Sequence, residues 1–327
     1  MVNCVNERRT THMEHQLIVL ICLITALSGC EPSDTGSETE SSLASRTKPL
    51  IMVSNNPLYY FATELAGNNI DVQFPIDTTG DPASWRPTAQ HITEFQQADL
   101  IVLNGAGYES WLTTVSLPTT KLFNTSKSFQ REWIPIEGGV THSHGLEGEH
   151  NHRGYAITTW MDMLQASQQV NNMGEELIQR WPEQAAGFES RLAVLQQQLL
   201  LLDTRFQQQL SRLEGESVIF SHPVYQYFQR RYQVNGSSLH WEPDQAPTDA
   251  QWQELQQMLA EKPVRIMIWE GEPMAETRRR LDNLGIHSVV ISPAANTSAK
   301  GDWLTVQSAN IDRLAELLDS LLETAKL

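Results

Sequence analysis

The sequence is poor in cysteine: Cys4, Cys22 and Cys30 are the three in 327 residues. With none beyond position 30, the rest of the chain can build neither a disulfide nor a thiolate metal site. Also lacking are G-x-S-x-G, H-E-x-x-H and the P-loop pattern, which removes the common serine-hydrolase, zincin and nucleoside-triphosphatase signatures. Gly105 and Gly107 follow an apolar run, but Ser110 stands where a dinucleotide fingerprint needs its third glycine. NGAGYESW therefore reads as a loop opening a helix. Basic residues are scarce, 23 Lys and Arg against 39 Asp and Glu, and a net charge of −16 repels nucleic-acid phosphates. Such a surface suits a solvated carrier or a cation binder. Long apolar runs are missing too: the stretch from Leu17 to Leu27 is too short to cross a bilayer.

That short run follows Arg8 and Arg9 and closes on Leu27, Ser28, Gly29 and Cys30, the layout of a bacterial lipoprotein signal. The expectation is a signal peptide over 1–29, with Cys30 as the acylated first residue of the processed chain. Residues 30–48 are rich in Ser, Thr and Glu without an apolar pattern, so they read as a flexible tether spanning roughly 25 Å. The folded part is expected at the cell envelope, on the periplasmic side, held to the membrane by lipid.

What the chain does have is one strong periodicity. Phe188, Leu192, Leu195, Leu199, Leu202, Phe206, Leu210 and Leu213 recur in steps of three and four, which keeps them on one face of a helix over 183–214. Pro182 and Gly215 punctuate its ends. A helix of that length, roughly 45 Å, predicts a bridge between two bodies. A homodimeric coiled coil is the alternative, but about four heptads is short for one, and a monomer is expected. On either side, short apolar runs alternate with helical patterns. Strands are expected at Leu50 to Val53, Ile70 to Phe74, Leu100 to Leu103, Val218 to Phe220, Val264 to Trp269 and Val289 to Ser292. Helices are expected at Tyr59 to Leu65, Thr88 to Gln97, Tyr225 to Tyr232, Asp249 to Glu261, Ala275 to Leu284 and Asn310 to Thr324. The fold class is thus α/β, two lobes with mostly parallel sheets, 49–182 and 215–327, joined by one long rigid helix.

One stretch of the first lobe, 141–153, reads as a loop of odd composition. His142, His144, His150 and His152 lie there with Glu147 and Glu149, and imidazole with carboxylate suits borderline divalent ions such as zinc.

Signal, tether, lobe, His-rich stretch, long helix and second lobe, in that order, resemble the zinc and manganese substrate-binding proteins of bacterial ABC transporters. GDPASWRP, ADLIVLNGAGYESWL, TTWMDM, FSHPVYQYFQRRYQV, IMIWEGEP and GDWLTVQSAN carry the resemblance. It implies a receptor and not an enzyme, zinc or manganese as the transported ion, no organic cofactor, and an ABC permease as partner. It also implies metal contact by His222 and Asp302, with Glu270 at an acidic position near the site. Two first-lobe positions depart from the family pattern, where Ala83 and Thr158 stand in place of histidines. A methyl group cannot donate to a metal, and a neutral hydroxyl is a poor zinc ligand. Glu109, Glu270, His91, His240 or the His-rich stretch could supply replacements. Trp85, Trp160, Trp269 and Trp303 fall close to the inferred cleft. An aromatic cleft also admits a second reading, a relative on the same scaffold that binds an organic ligand or a protein partner and no metal. A metal hydrolase is disfavoured for want of a catalytic base motif.

Overall fold

The computed structural model describes residues 46–76, 80–143, 149–297 and 300–324. The expected signal peptide, Cys30, most of the tether and His144 lie outside the described residues. The tether was expected to run to Lys48, yet Arg46 already docks on the first lobe, donating to the Gln97 carbonyl at 2.6 Å and pairing with Asp99 at 3.3 Å.

The first lobe runs β1 (Leu50–Val53), α1 (Asn56–Ala66), β2 (Asp71–Gln73), α2 (Ala89–Gln97), β3 (Leu100–Leu103), β4 (Leu122–Asn124), a hairpin of β5 (Pro135–Ser143) and β6 (Glu149–Tyr155), and α3 (Met163–Arg180). The long helix α4 (Ala185–Leu210) follows. The second lobe is β7 (Ser217–Phe220), α5 (Gln226–Tyr232), β8 (Asn235–Ser238), α6 (Asp249–Glu261), β9 (Ile266–Trp269), α7 (Ala275–Asp282), β10 (His287–Val290) and α8 (Trp303–Thr324). Each lobe has a four-stranded sheet, ordered β2-β1-β3-β4 and β10-β9-β7-β8, and every pair in both is parallel. The central strands LIMV, LIVL, SVIF and IMIW are buried throughout, as strands covered on both faces must be.

Helix α4 is about 39 Å long at 26 residues. Of its expected stripe, Phe188, Leu195, Leu199, Leu202, Phe206, Leu210 and Leu213 are buried, and Leu192 is partly so. It does more than join two separate bodies. Its stripe belongs to one apolar core that runs from Ile51, Phe61 and Trp160 of the first lobe to Phe220, Phe228 and Trp303 of the second. A buried ion pair pins it as well: Arg231 of α5 grips Asp203 of α4 through both carboxylate oxygens, and the Tyr232 hydroxyl donates to the same carboxylate at 3.2 Å.

Hydrogen bonds stitch the lobes directly. Asn56 donates its backbone N–H to Ala295 O at 2.9 Å and its amide to Ala294 O at 3.0 Å. Trp160 Nε1 donates to Pro293 O at 2.8 Å, and Asn296 Nδ2 donates back to Gly80 O at 2.6 Å. The Tyr227 hydroxyl donates to Ala156 O at 2.9 Å; burial pushes this phenol up to about 12, so it remains a donor at neutral pH.

Several elements differ from expectation. Helix α3 was not foreseen, because polar Gln165 and Gln169 sit on its buried face beside Met163, Ala166, Val170, Met173 and Leu177 and break the apolar period. Gln169 is buried because it is satisfied, donating to Asn104 Oδ1 and Thr125 Oγ1 at 3.1 and 2.8 Å. Strand β8, with the sequence NGSS, carries no apolar signal and is held by its pairing with β7 and by Gln229 Nε2, which donates to Gly236 O at 3.1 Å. The His-rich stretch is not a loop throughout: β5 and β6 pair antiparallel, with His142 opposite His150. Helix α8 begins at Trp303, well before Asn310.

Candidate metal centre

Three side chains of the second lobe converge: one ligand atom from each of His222, Glu242 and Glu270 lies within 4.8 Å of the others. Each follows the carboxyl end of a different strand, β7, β8 and β9, which are neighbours in the sheet. Crevices at those ends are where open α/β sheets place ligands. Backbone bonds fix the three loops against one another. Ser221 N–H donates to Ile268 O, Leu239 N–H to Phe220 O and Trp241 N–H to Ser221 O, all at 2.8 Å. These continue the ladder past the strands and set Glu242 beside His222, whose Nδ1 is 3.7 Å from Glu242 Oε1. Met274 N–H donates to Pro243 O at 3.0 Å and draws the Glu270 loop onto the Glu242 loop. Gly271 permits that approach, since a Cβ there would stand 3.1 Å from Pro243 Cγ. His222 is 2 % exposed, while Glu242 and Glu270 are half-buried.

The cluster opens into a cavity of about 690 Å³ between the lobes. Its first-lobe wall includes Asp81, Ala83, Tyr108, Thr158 and Trp160, and Lys300 and Arg313 line it from the second lobe. The two residues that stand where the resemblance implies histidines both line this cavity. Ala83 presents a methyl group, 3 % exposed, and the Thr158 hydroxyl is spent on Val224 O at 2.6 Å. Asp81 accepts the Ala83 N–H at 3.0 Å, closing the turn that places Ala83.

His222 and Glu270 are thus brought together; Asp302 is not with them. Its carboxylate accepts the Thr305 N–H at 2.8 Å and caps α8, an exposed position where an acidic side chain satisfies the first turn of a helix. Glu242 was not among the residues singled out. Reading NGSS as a strand would have placed it at a strand end beside His222, but that segment has no β signal.

The other candidates have structural work. Glu109 is buried, accepting from Ser54 Oγ at 2.5 Å, Asn104 N–H at 2.6 Å and Gly105 N–H at 3.1 Å. Burial raises its pKa, and those three bonds oppose the rise without cancelling it. Its carboxylate fills the amide pocket of NGAGYESW, whose Gly105 has φ +81 and no room for a Cβ, 2.2 Å from Asn124 Oδ1. His91 closes the capping box of α2, accepting the Thr88 N–H, and stacks on Trp85. The His240 ring is exposed, edge-on to His222 with centroids 5.7 Å apart. Of the four tryptophans Trp160 lines the cavity; Trp85 packs on Phe95 and Trp111, Trp269 on Trp241, and Trp303 on Tyr60 and Phe61.

One imidazole and two carboxylates form an N/O donor set suited to zinc or manganese, and the two negative charges balance a divalent ion. Three protein ligands leave coordination positions open toward the cavity.

Comparison with known proteins agrees with this architecture. The zinc-binding lipoprotein AdcA of Streptococcus pneumoniae is 23% identical over 284 residues, which cover 82% of this chain and 56% of that protein. The chain therefore spans little more than half the length of that relative. The metal ABC transporter substrate-binding lipoprotein SsaB of Streptococcus sanguinis is 22% identical over 314 residues, 92% of this chain and 97% of the relative. Zn(II)-bound AdcA from Streptococcus pneumoniae superposes with a TM-score of 0.71 at 19% identity, over 83% of this chain and 58% of that one. The metal-dependent lipoprotein YcdH of Bacillus subtilis gives 0.70 at 20% identity, over 83% and 98%. The model of the family described as ZnuA, zinc-uptake complex component A, periplasmic, matches residues 51–317, and the chain belongs to that family.

Proposed function

We propose that this protein captures a divalent transition ion, zinc in the first instance, at His222, Glu242 and Glu270 and delivers it to the permease of an ABC importer. The observation that carries the reading is the convergence of three donors within 4.8 Å at the mouth of an interlobe cavity. Names of relatives support zinc as the ion, and the two carboxylates leave manganese compatible with the same donors. In this reading Glu242 takes the place expected of Asp302, which stays the cap of α8. His142, His144, His150 and His152 form an auxiliary collecting segment, and a lipid on Cys30, after removal of residues 1–29, holds the receptor at the membrane surface.

The test is a calorimetric titration of the full chain with zinc and with manganese, repeated on His222→Ala and on a deletion of residues 141–153. Submicromolar binding that survives the deletion and is lost in His222→Ala supports the cleft site. Affinity that follows the His-rich segment alone removes the cleft from the reading. Binding of no divalent ion favours the non-metal relative, for which the donor-free methyl of Ala83 and the committed hydroxyl of Thr158 speak.

A further inference from the structure

Helix α4 buries its inner stripe in the core that the lobes share, but its outer face is unusual for so acidic a chain. From Ser190 to the cap residue Ser211, none of its exposed residues is charged, although the formal charge of the chain is −16. Ala193, Gln197, Leu200, Thr204 and Gln207 follow one another in steps of four and three, a second heptad stripe on the side away from the core. Its large apolar members, Val194, Leu200 and Leu201, are 54, 60 and 60 % exposed. A helix face that meets only water is ordinarily charged and polar. The nearest charges on one flank are engaged within the chain, Arg205 with Asp312 and Arg212 with Asp319 of α8.

The exposed positions are also symmetric about the point between Leu200 and Leu201. Turned end for end, Leu200 falls on Leu201, Gln197 on Thr204, Val194 on Gln207 and Ala193 on Gln208. A two-fold axis at that point sets two copies of α4 antiparallel, with exposed positions facing exposed positions, the self-complementarity that an isologous contact requires. Four leucines then meet at the axis, flanked by Gln and Thr side chains that can hydrogen-bond to each other. Charge selects the same occupant. Two chains of −16 repel, and the repulsion is least where neither face carries a charge. A basic protein or a charged lipid surface would be matched by charges that this face lacks.

We propose that α4 pairs two copies of this chain, antiparallel about a two-fold axis beside Leu200 and Leu201. Among the described residues none that lines the cavity belongs to α4, so the pair leaves both cavities open, and the inference is independent of the metal reading. The inner stripe, from which a monomer is expected, is buried in the core; the outer stripe is a separate surface. One helix face per partner puts the contact at the low end of specific interfaces, below about 1,200 Å², so the dimer is weak and reversible.

The experiment is sedimentation equilibrium of the full chain and of Leu201→Glu over a wide range of protein concentration, with thermal unfolding as the check on folding. The expected result is a monomer–dimer equilibrium whose Kd rises about tenfold or more in Leu201→Glu, which sets two like charges beside the axis. The thermal midpoint should not move, because the position is exposed. Direction is read by disulfide trapping in a full chain carrying Cys4→Ser, Cys22→Ser and Cys30→Ser. Leu201→Cys should link two copies and Ser190→Cys should not, since an antiparallel pair holds the two residues at 190 roughly 30 Å apart. A chain that is monomeric at every concentration overturns the proposal. A dimer of undiminished affinity in Leu201→Glu puts the contact elsewhere and also overturns it, as does trapping at Ser190→Cys that matches Leu201→Cys, which would make the pair parallel.

Discussion

Glu242 is the member of the cluster that the sequence did not announce, and replacing it with glutamine tests the site most sharply. The amide keeps the shape and one oxygen but removes the charge. Two unit charges 4 Å apart interact by about 1 kcal/mol in bulk water, so a divalent ion and a carboxylate at a coordination distance of about 2 Å gain about 4 kcal/mol even with full screening. The neutral amide oxygen retains part of this, leaving about 3 kcal/mol, or roughly a hundredfold in Kd. Binding stabilises a folded chain by about 2.7 kcal/mol when zinc is at a hundred times Kd, and by about 0.4 kcal/mol when Kd has risen to meet it. For a chain of this size that is a rise in Tm of roughly 5–10 °C for the unsubstituted cluster and about 1 °C for Glu242→Gln. The assay is thermal unfolding with and without zinc, in a background lacking residues 141–153 so that the His-rich segment contributes nothing. Glu272→Gln is the control: this exposed carboxylate lines the same cavity but pairs with Arg278, and its loss should weaken zinc roughly threefold or less. An equal effect of the two substitutions would refute coordination by Glu242 and leave only a diffuse negative field.

Three other expectations concern the scaffold. Asp203→Ala takes from the partly buried Arg231 its bidentate partner, with Asp162 still 4.0 Å away, and should cost about 1.5–3 kcal/mol in urea unfolding; a loss under about 1 kcal/mol would show that the pair does not tie helix to lobe. Thr158→Val removes the donor to Val224 O across the cleft and should cost about 1–3 kcal/mol by the same measurement, with an unchanged midpoint counting against that bond. Glu109 has a folded pKa raised by burial, so its contribution to stability is full below the unfolded carboxylate range and is lost as pH rises through the folded value. Glu109→Gln should therefore flatten the fall of unfolding free energy from about pH 4 toward neutrality, and parallel curves for the two proteins would contradict the assignment.

The fold was legible wherever burial on both faces wrote itself into a run of apolar residues. β1 and β3 were read to the residue, and the stripe of α4 named its own buried face. Legibility failed where polar side chains sit on a buried helix face, as Gln165 and the fully bonded Gln169 do in α3, and where a strand carries no apolar signal, as in NGSS of β8. The second failure carried into the site. With β8 unread, Glu242 had no address at a strand end, whereas His222 and Glu270 follow strands of strong signal. Asp302 shows the converse, since an acidic residue just before a helix serves its cap, and motif resemblance alone cannot separate that from a ligand. Ala83 and Thr158, singled out from the resemblance alone, both line the cavity, where one presents a methyl group and the other a hydroxyl already bonded to Val224 O.

The identity of the side chains on the first-lobe wall matters less to the scaffold than it would in a hinged receptor, where the ligand draws two lobes together. Here Asn56, Trp160 and Asn296 bond carbonyls across the cleft, Thr158 and Tyr227 do the same, and α4 runs one core through both lobes. Closure is set by protein contacts, so donors on the first-lobe wall can be exchanged without loosening the architecture. What those exchanges alter is the cavity wall that faces the cluster. The ladder of one sheet fixes His222, Glu242 and Glu270, so in the proposed reading substitutions on the facing wall leave these three donors where they are.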